Sequence, residues 1–224
     1  MMSWLPENVS TYGHEIDRLF YFIYYLTGVT FFGVQIALLV FLWMYRARPG
    51  RRAVYTHGNT TLEIVWTAIP SVILGALALA GRTTWADIKS RQPATDFVIE
   101  ITAKQFNWEV RYPGLDATLN TDDDVLMDND FHVPVNKPVR IHLKARDVIH
   151  SLFVPQLRLK QDAVPGRDIP VWFEATKAGK YEVPCAELCG FGHSGMKGYL
   201  FVDTPEAYAA WARENKVGPA GVQS

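Results

Sequence analysis

The chain has 224 residues, 49% of them hydrophobic, with 22 Lys and Arg against 23 Asp and Glu for a net charge of −1. That length allows one domain or two, and a near-neutral balance without a basic run in its polar part excludes the electrostatic footprint of a nucleic-acid-binding protein. The apolar residues are bunched near the start, which points to a membrane-anchored chain rather than an ordinary globular one.

Residues 1–17 are mixed and polar, and Pro6 and Gly13 oppose a long regular element there. They read as a short segment at the membrane surface. No charged residue occurs from Leu19 to Tyr45 or from Ile64 to Gly81, and each stretch reaches the roughly 18–20 residues that cross a bilayer as helix. The first span is predicted from about Arg18 to Tyr45, with Tyr12, Tyr21, Tyr24 and Tyr25 at one interface and Trp43 and Tyr45 at the other. A cleaved signal peptide is the competing reading, but the stretch is too long, begins too far in and lacks a small-residue cleavage pattern. Arg46, Arg48, Arg51 and Arg52 crowd the connection, so the positive-inside rule places that loop in the cytoplasm. Both termini then lie opposite, on the periplasmic side of a bacterial inner membrane crossed twice. Glu63 opens the second span and Pro70 lies within it.

The composition divides the chain into an N-terminal segment with a two-helix hairpin (1–82), a linker (83–95), a β domain (96–214) and a loose tail (215–224). Phe97–Thr102, Trp108–Tyr112, Val139–Leu143, Val171–Glu174 and Gly198–Val202 are short, rich in β-branched and aromatic residues, and separated by Pro, Gly and Asp turns. Such strands without intervening helices predict a sandwich or Greek-key barrel. One helix closes the domain, with Thr204 as N-cap, Pro205 at the first helical position and Glu206–Glu214 following.

The chemistry is concentrated in Cys185-Ala-Glu187-Leu-Cys189-Gly-Phe-Gly-His193-Ser-Gly-Met196. Two thiols, an imidazole and a thioether suit copper or zinc rather than calcium or magnesium. The two cysteines are the only ones present; a disulfide between them would close a very small loop and leave His193 and Met196 unexplained. A further ligand is expected from elsewhere, and His150, flanked by apolar residues in Asp147-Val-Ile-His150-Ser-Leu-Phe, is the best candidate. His142 alternates outward with Arg140 and Lys144, His132 sits by Pro134 in a turn, and His14 and His57 flank the membrane segments. All four read as solvated or structural. Three metal readings remain: a closed Cys2His2 zinc site, a mononuclear blue-copper site with axial Met196, and a dinuclear copper site bridged by both thiolates. Zinc leaves Met196 idle and blue copper leaves a thiol idle, whereas two coppers employ every ligand.

Cys-x-x-x-Cys-Gly-x-Gly-His-x-x-Met, the upstream Asp-Val-Ile-His-Ser, Leu159-Lys-Gln-Asp-Ala-Val-Pro-Gly-Arg167 and Leu62-Glu-Ile-Val-Trp-Thr67 together resemble subunit II of the haem–copper cytochrome c oxidases, over nearly the whole chain. The resemblance implies an α+β membrane protein with two N-terminal transmembrane helices and an all-β cupredoxin domain. It implies a dinuclear CuA centre bridged by Cys185 and Cys189 and completed by His150, His193, Met196 and the backbone oxygen of Glu187. It also implies a magnesium ion on the Glu187 side chain at the boundary with subunit I, and Glu63 at the mouth of a proton path. The implied activity is that of a proton-pumping cytochrome c oxidase, in which electrons from cytochrome c or a similar donor pass through this chain to haem in subunit I, where oxygen becomes water. Subunit I, other oxidase subunits, the donor and membrane lipid are the implied partners. The family's Gln-Trp-x-Trp run is here Gln105-Phe106-Asn107-Trp108, so the electron-uptake point falls on Phe106, with Trp108 packing behind it and Asp147 alongside. Asp122, Asp123, Asp124, Asp128 and Asp130 form an acidic segment that would suit a basic donor. The alternatives are a CuA subunit of a nitric oxide reductase-type complex and a free-standing membrane-anchored copper electron carrier.

Overall fold

The computed structural model describes residues 4–218, in two compact units. One is Glu15–Ser90; the other joins the N-terminal segment through His14 to the chain from Arg91 onward. In the first unit, α1 (Gly13–Met44) and α2 (Thr60–Trp85) account for most residues, the connection 45–59 lies between them, and a π-helical turn, Ala86–Ser90, prolongs α2. Helix therefore runs through most of the stretch whose composition reads as linker. Both helices have the length and composition to cross a membrane, with a mean hydropathy of 2.0 in their apolar windows and no residue there buried by the protein itself. Helices apolar all round need lipid or neighbouring helices to cover them. Thr27 and Thr30 return their hydroxyls to the carbonyls of Ile23 and Leu26, at 2.8 and 2.9 Å, so neither carries an unsatisfied donor into hydrocarbon. Asn59 caps α2 by accepting the Leu62 N–H at 3.0 Å, and Glu63 sits in the first turn.

The second unit is a β-sandwich. Its strands are β1 (Val98–Lys104), β2 (Asn107–Tyr112), β3 (Val125–Asp128), β4 (Asp130–Pro134) and β5 (Pro138–Ala145). Then follow β6 (His150–Val154), β7 (Leu159–Ala163), β8 (Ile169–Glu174), β9 (Gly179–Pro184) and β10 (Lys197–Asp203). One sheet has the order β3-β2-β1-β5-β8; the other contains β4-β10-β9, with β6 and β7 as an antiparallel ribbon joined to it by a bridge between Leu152 and Cys185. Alternation builds the core. Ile99, Ile101, Trp108, Val110, Ile141 and Leu143 are buried from the first sheet, and Phe131, Val133, Val183, Leu200 and Val202 from the second.

The five strands expected from β-branched and aromatic runs are all present. His132 lies in β4 rather than in a turn, its ring stacked between Phe201 and Trp211 at centroid distances of 4.5 and 4.4 Å. Nδ1 is 2.8 Å from Asp203. His142 faces outward as expected and pairs with Asp168 at 3.0 Å. The closing helix α3 (Pro205–Glu214) starts where its cap predicts, with the Thr204 hydroxyl accepting from Ala207 N–H.

The N-terminal segment is part of this sandwich rather than a separate surface element. Val9 N–H donates to Gln156 O and Thr176 N–H to Val9 O, at 2.9 and 2.8 Å; Ser10 bridges Ala175, and Val9 and Tyr12 are buried. The chain past α3 is also held as far as it is described: Val217 is buried, and Gly218 N–H donates to Pro113 O at 3.1 Å. Of the expected loose tail, residues 219–224 lie outside the described residues.

Candidate metal centre

The loop from Cys185 to Met196 connects β9 and β10, which pair antiparallel, so its two ends start side by side. Cys185 N–H donates to Met196 O at 3.0 Å and closes its neck. His150 begins β6, and the Leu152–Cys185 bridge with the Ala186 N–H to Ser151 O bond of 3.0 Å fastens that strand to the loop. A short 3-10 turn, His193–Gly195, brings His193 back over the thiols. Hydrogen bonding thus fixes the two ends of the loop and the start of β6 around one point.

At that point the donor atoms converge. Cys185 Sγ is 3.9 Å from Cys189 Sγ, 3.9 Å from His150 Nδ1 and 3.2 Å from Glu187 O. Cys189 Sγ is 3.6 Å from His193 Nδ1 and 3.7 Å from Met196 Sδ. The thiols are free. Among the described residues, His150, Cys185 and Cys189 form the one group of three His, Cys, Asp or Glu side chains with ligand atoms all within 4.8 Å of one another. His150, Cys185, Cys189 and Met196 are all buried, so the site is dry and its donors are soft or borderline, the class that selects copper or zinc.

His150 is aimed by a carboxylate. Its Nε2 lies 2.8 Å from Asp147 Oδ1; a carboxylate only accepts, so Nε2 carries the proton and the Nδ1 lone pair faces the thiols. Burial alone would raise the Asp147 carboxyl, but the hydrogen bonds from His150, Gln105 N–H and Val148 N–H outweigh it and hold the group down at about 2. Burial, with the neighbouring Cys185 thiol, pushes Cys189 up to about 11. Trp108 is fully buried, its ring edge-on to His150 at 6.3 Å and its Nε1–H bonded to Val183 O at 3.2 Å. It packs the floor, as expected.

Phe106 lies on the loop's outer side, against Gly190 and Gly192. A Cβ on Gly192 would meet its ring at 2.6 Å, and Gly190 has φ +136°, a conformation L side chains rarely adopt. The Gln105 amide donates to Cys189 O at 2.6 Å, and Gln105 N–H to Asp147 Oδ2 at 2.7 Å. Sequence reading missed this tie, because spacing carries no signal for a contact between residues 84 apart. The Glu187 side chain is exposed, and Glu63 belongs to the helical unit.

Residues 97–200 match the family described as Cytochrome C oxidase subunit II, periplasmic domain, and residues 2–81 match Cytochrome C oxidase subunit II, transmembrane domain. The chain is 32% identical over 267 aligned residues to cytochrome c oxidase subunit 2 of Thermostichus vulcanus, covering 95% of this chain and 78% of that one. It is 30% identical over 235 residues to alternative cytochrome c oxidase subunit 2 of Bradyrhizobium diazoefficiens, covering 95% and 84%. The crystal structure of the periplasmic domain of subunit II of cytochrome oxidase of Bradyrhizobium japonicum superposes with a TM-score of 0.50 at 31% identity, covering 56% of this chain and 96% of that one.

Proposed function

This chain belongs to the cytochrome c oxidase subunit II family, and from that premise we propose that it is the electron-accepting subunit of a haem–copper oxidase. It takes electrons from a cytochrome c-type donor at a dinuclear copper centre and passes them to haem in subunit I, for the reduction of oxygen coupled to proton pumping. The observation that carries this reading is the convergence of six donors from two stretches of chain on one point, four of them from buried residues: His150, Cys185, the Glu187 carbonyl, Cys189, His193 and Met196.

Cys185, Cys189, His150, His193, Met196 and the Glu187 carbonyl would hold the copper pair. When bound, it would supply a one-electron couple. The chain's own contribution is a cage that need not move. Asp147 fixes the His150 tautomer, Gln105 holds the Cys189 carbonyl, and the Cys185–Met196 hydrogen bond locks the loop's neck. The buried, low-dielectric surround and these outer hydrogen bonds set the potential.

Around this centre, the exposed Glu187 carboxylate supplies one ligand for a magnesium ion shared with subunit I; Mg²⁺ characteristically takes few protein carboxylates and keeps other oxygens. Glu63, in the first turn of α2, is the proton-path carboxylate. The β-sandwich stands on the periplasmic side of a bacterial inner membrane. Hydrogen bonds between segment 4–14 and the sandwich support that topology, since they require both to lie on one side of the two spans.

Absorption and EPR spectra of the copper-loaded full chain test the reading. A purple, mixed-valence signal with about two coppers per chain is expected. A colourless zinc protein or a blue mononuclear signal sinks it.

A further inference from the structure

Around Phe106, on the outer face of the metal loop, several exposed side chains are apolar, and the neighbouring Lys104, Glu109, Arg146 and Asp128 are engaged with each other; the exposed Glu187 of the same loop is the carboxylate proposed above to face subunit I. Phe106 is 40% exposed, and Phe191, between the two glycines on which Phe106 rests, is fully exposed. Val148 and Ile149, at 37 and 46% exposed, follow Asp147, which accepts the N–H of Gln105, the residue before Phe106. Next to them Lys104 lies 2.8 Å from Glu109 and 3.9 Å from Asp128, Arg146 lies 3.4 Å from Glu109, and Asn107 donates to Asp128 at 2.6 Å. Asp147 itself accepts from Gln105, Val148 and His150.

The acidic run Asp122–Asp124 offers no charge here. β2 leaves the site at Trp108 and reaches Tyr112 about 13 Å away, at roughly 3.3 Å per residue, and the run lies in the connection beyond. There Asp123 accepts from Thr121 and Asp116 N–H, and Asp124 from Arg111 and Asn120 N–H. Of the acidic segment expected as a docking face, Asp122–Asp124 thus lie at the far end of β2, while Asp128, at the near end, is taken up by Asn107 and Lys104.

We propose that Phe106, Val148, Ile149 and Phe191 form the contact surface for the electron donor, a haem protein whose haem edge is ringed by apolar and neutral side chains rather than by lysines. This rests on the electron-accepting role above. A lysine-ringed donor would have to desolvate its cations against a largely apolar face whose own carboxylate, Asp147, is already taken up by three hydrogen bonds, whereas exposed aromatics amid apolar neighbours are the usual anchors of a contact-driven interface. Each encounter moves one electron from ferrous haem, which becomes ferric, to the oxidised metal centre, with no bond made or broken. Encounter lacks long-range steering, so its rate is nearly flat in salt.

The test uses the purified oxidase complex and stopped-flow mixing with reduced, lysine-rich mitochondrial-type cytochrome c and with the same protein after lysine acetylation. The acetylated form is expected to react at least as fast as the native one, with a second-order rate that changes less than about twofold between about 10 and 200 mM salt. Phe191→Ser is expected to lower that rate about tenfold with copper content and visible spectrum unchanged, and Phe191→Leu to keep most of it. Native cytochrome c reacting about tenfold faster than the acetylated form and losing that advantage in salt overturns the proposal. So does a Phe191→Ser complex with the parent's rate, or one that loses its other subunits, which would make the patch an assembly contact. A complex reduced by a small-molecule reductant but by neither haem protein overturns the contact surface alone; one reduced by none of them sinks the electron-accepting role.

Discussion

Asp147 sits three residues before His150 and binds the ring nitrogen that faces away from the thiols. Asp147→Asn is expected to leave the fold intact but to weaken copper binding by about 10- to 100-fold, the usual cost of losing a ligand's orienting partner; competition against a chelator measures it. Gly192→Ala puts a methyl group into the Phe106 ring and should cost about 1–3 kcal/mol in denaturant unfolding. Adding Phe106→Ala removes the clash, so the double variant should lose less than the two single effects summed. Glu109 reports on acid. The Lys104 hydrogen bond, opposed by burial and helped by the charges of Lys104, Arg146 and Arg111, lowers its carboxyl below the ordinary value. A depressed folded value means that the stabilisation is present above the unfolded value of 4.5 and disappears as pH falls through the folded one. Glu109→Gln should therefore unfold at lower temperature than the parent near neutrality, with the gap closing below that range. The six converging donors were legible because five of them fall in one short motif and the sixth, His150, sits in an apolar frame. The supports were not, since Gln105 reaches Asp147 across 42 residues and Cys189 across 84, and only folding brings them together.

At the scale of elements, the five strands rich in β-branched and aromatic residues announced themselves, and β3, β4, β6, β7 and β9 did not, although β4 and β6 bury most of their residues. β7 reads Leu-Lys-Gln-Asp-Ala, with three polar residues between two buried ends, and β3 ends in an aspartate within an acidic stretch. Both owe their conformation to the neighbour they pair with, antiparallel to β6 and β2 respectively, which no local pattern records. α3 was readable from its cap, but its attachment was not. Trp211 leans on His132 at 4.4 Å and on Tyr112 at 5.2 Å, tying the helix to both sheets. Trp211→Ala should cost about 2–3 kcal/mol, below the full range for a large buried aromatic because the ring is only partly covered. Chemical denaturation followed by fluorescence from the remaining tryptophans would show it. An unchanged midpoint would mean that α3 is held by Tyr208 and Ala212 alone.

For the whole molecule, composition separated an apolar anchor from a polar β domain, but placed the boundaries by charge and missed that the first residues belong to the far unit. Segment 4–14 contributes the buried Val9 and Tyr12 and an ion pair between Glu7 and Lys177 at 2.8 Å. A fragment beginning at Arg91 should therefore unfold at a lower temperature than the full chain's sandwich, having lost at least about 2 kcal/mol of apolar burial. A synthetic peptide of residues 4–14 should restore part of the loss in a concentration-dependent manner.

β10 lies in the middle of its sheet, between β4 and β9, yet it is the last strand made. In chain order, segment 4–14 must wait for partners at Gln156, Glu174 and Ala175. The loop that carries both thiols stays open until Met196 and β10 arrive behind it. Closure of the donor cluster is consequently a late event in folding: the thiols, His150 and Met196 meet only once the last hairpin has docked on a nearly finished sandwich.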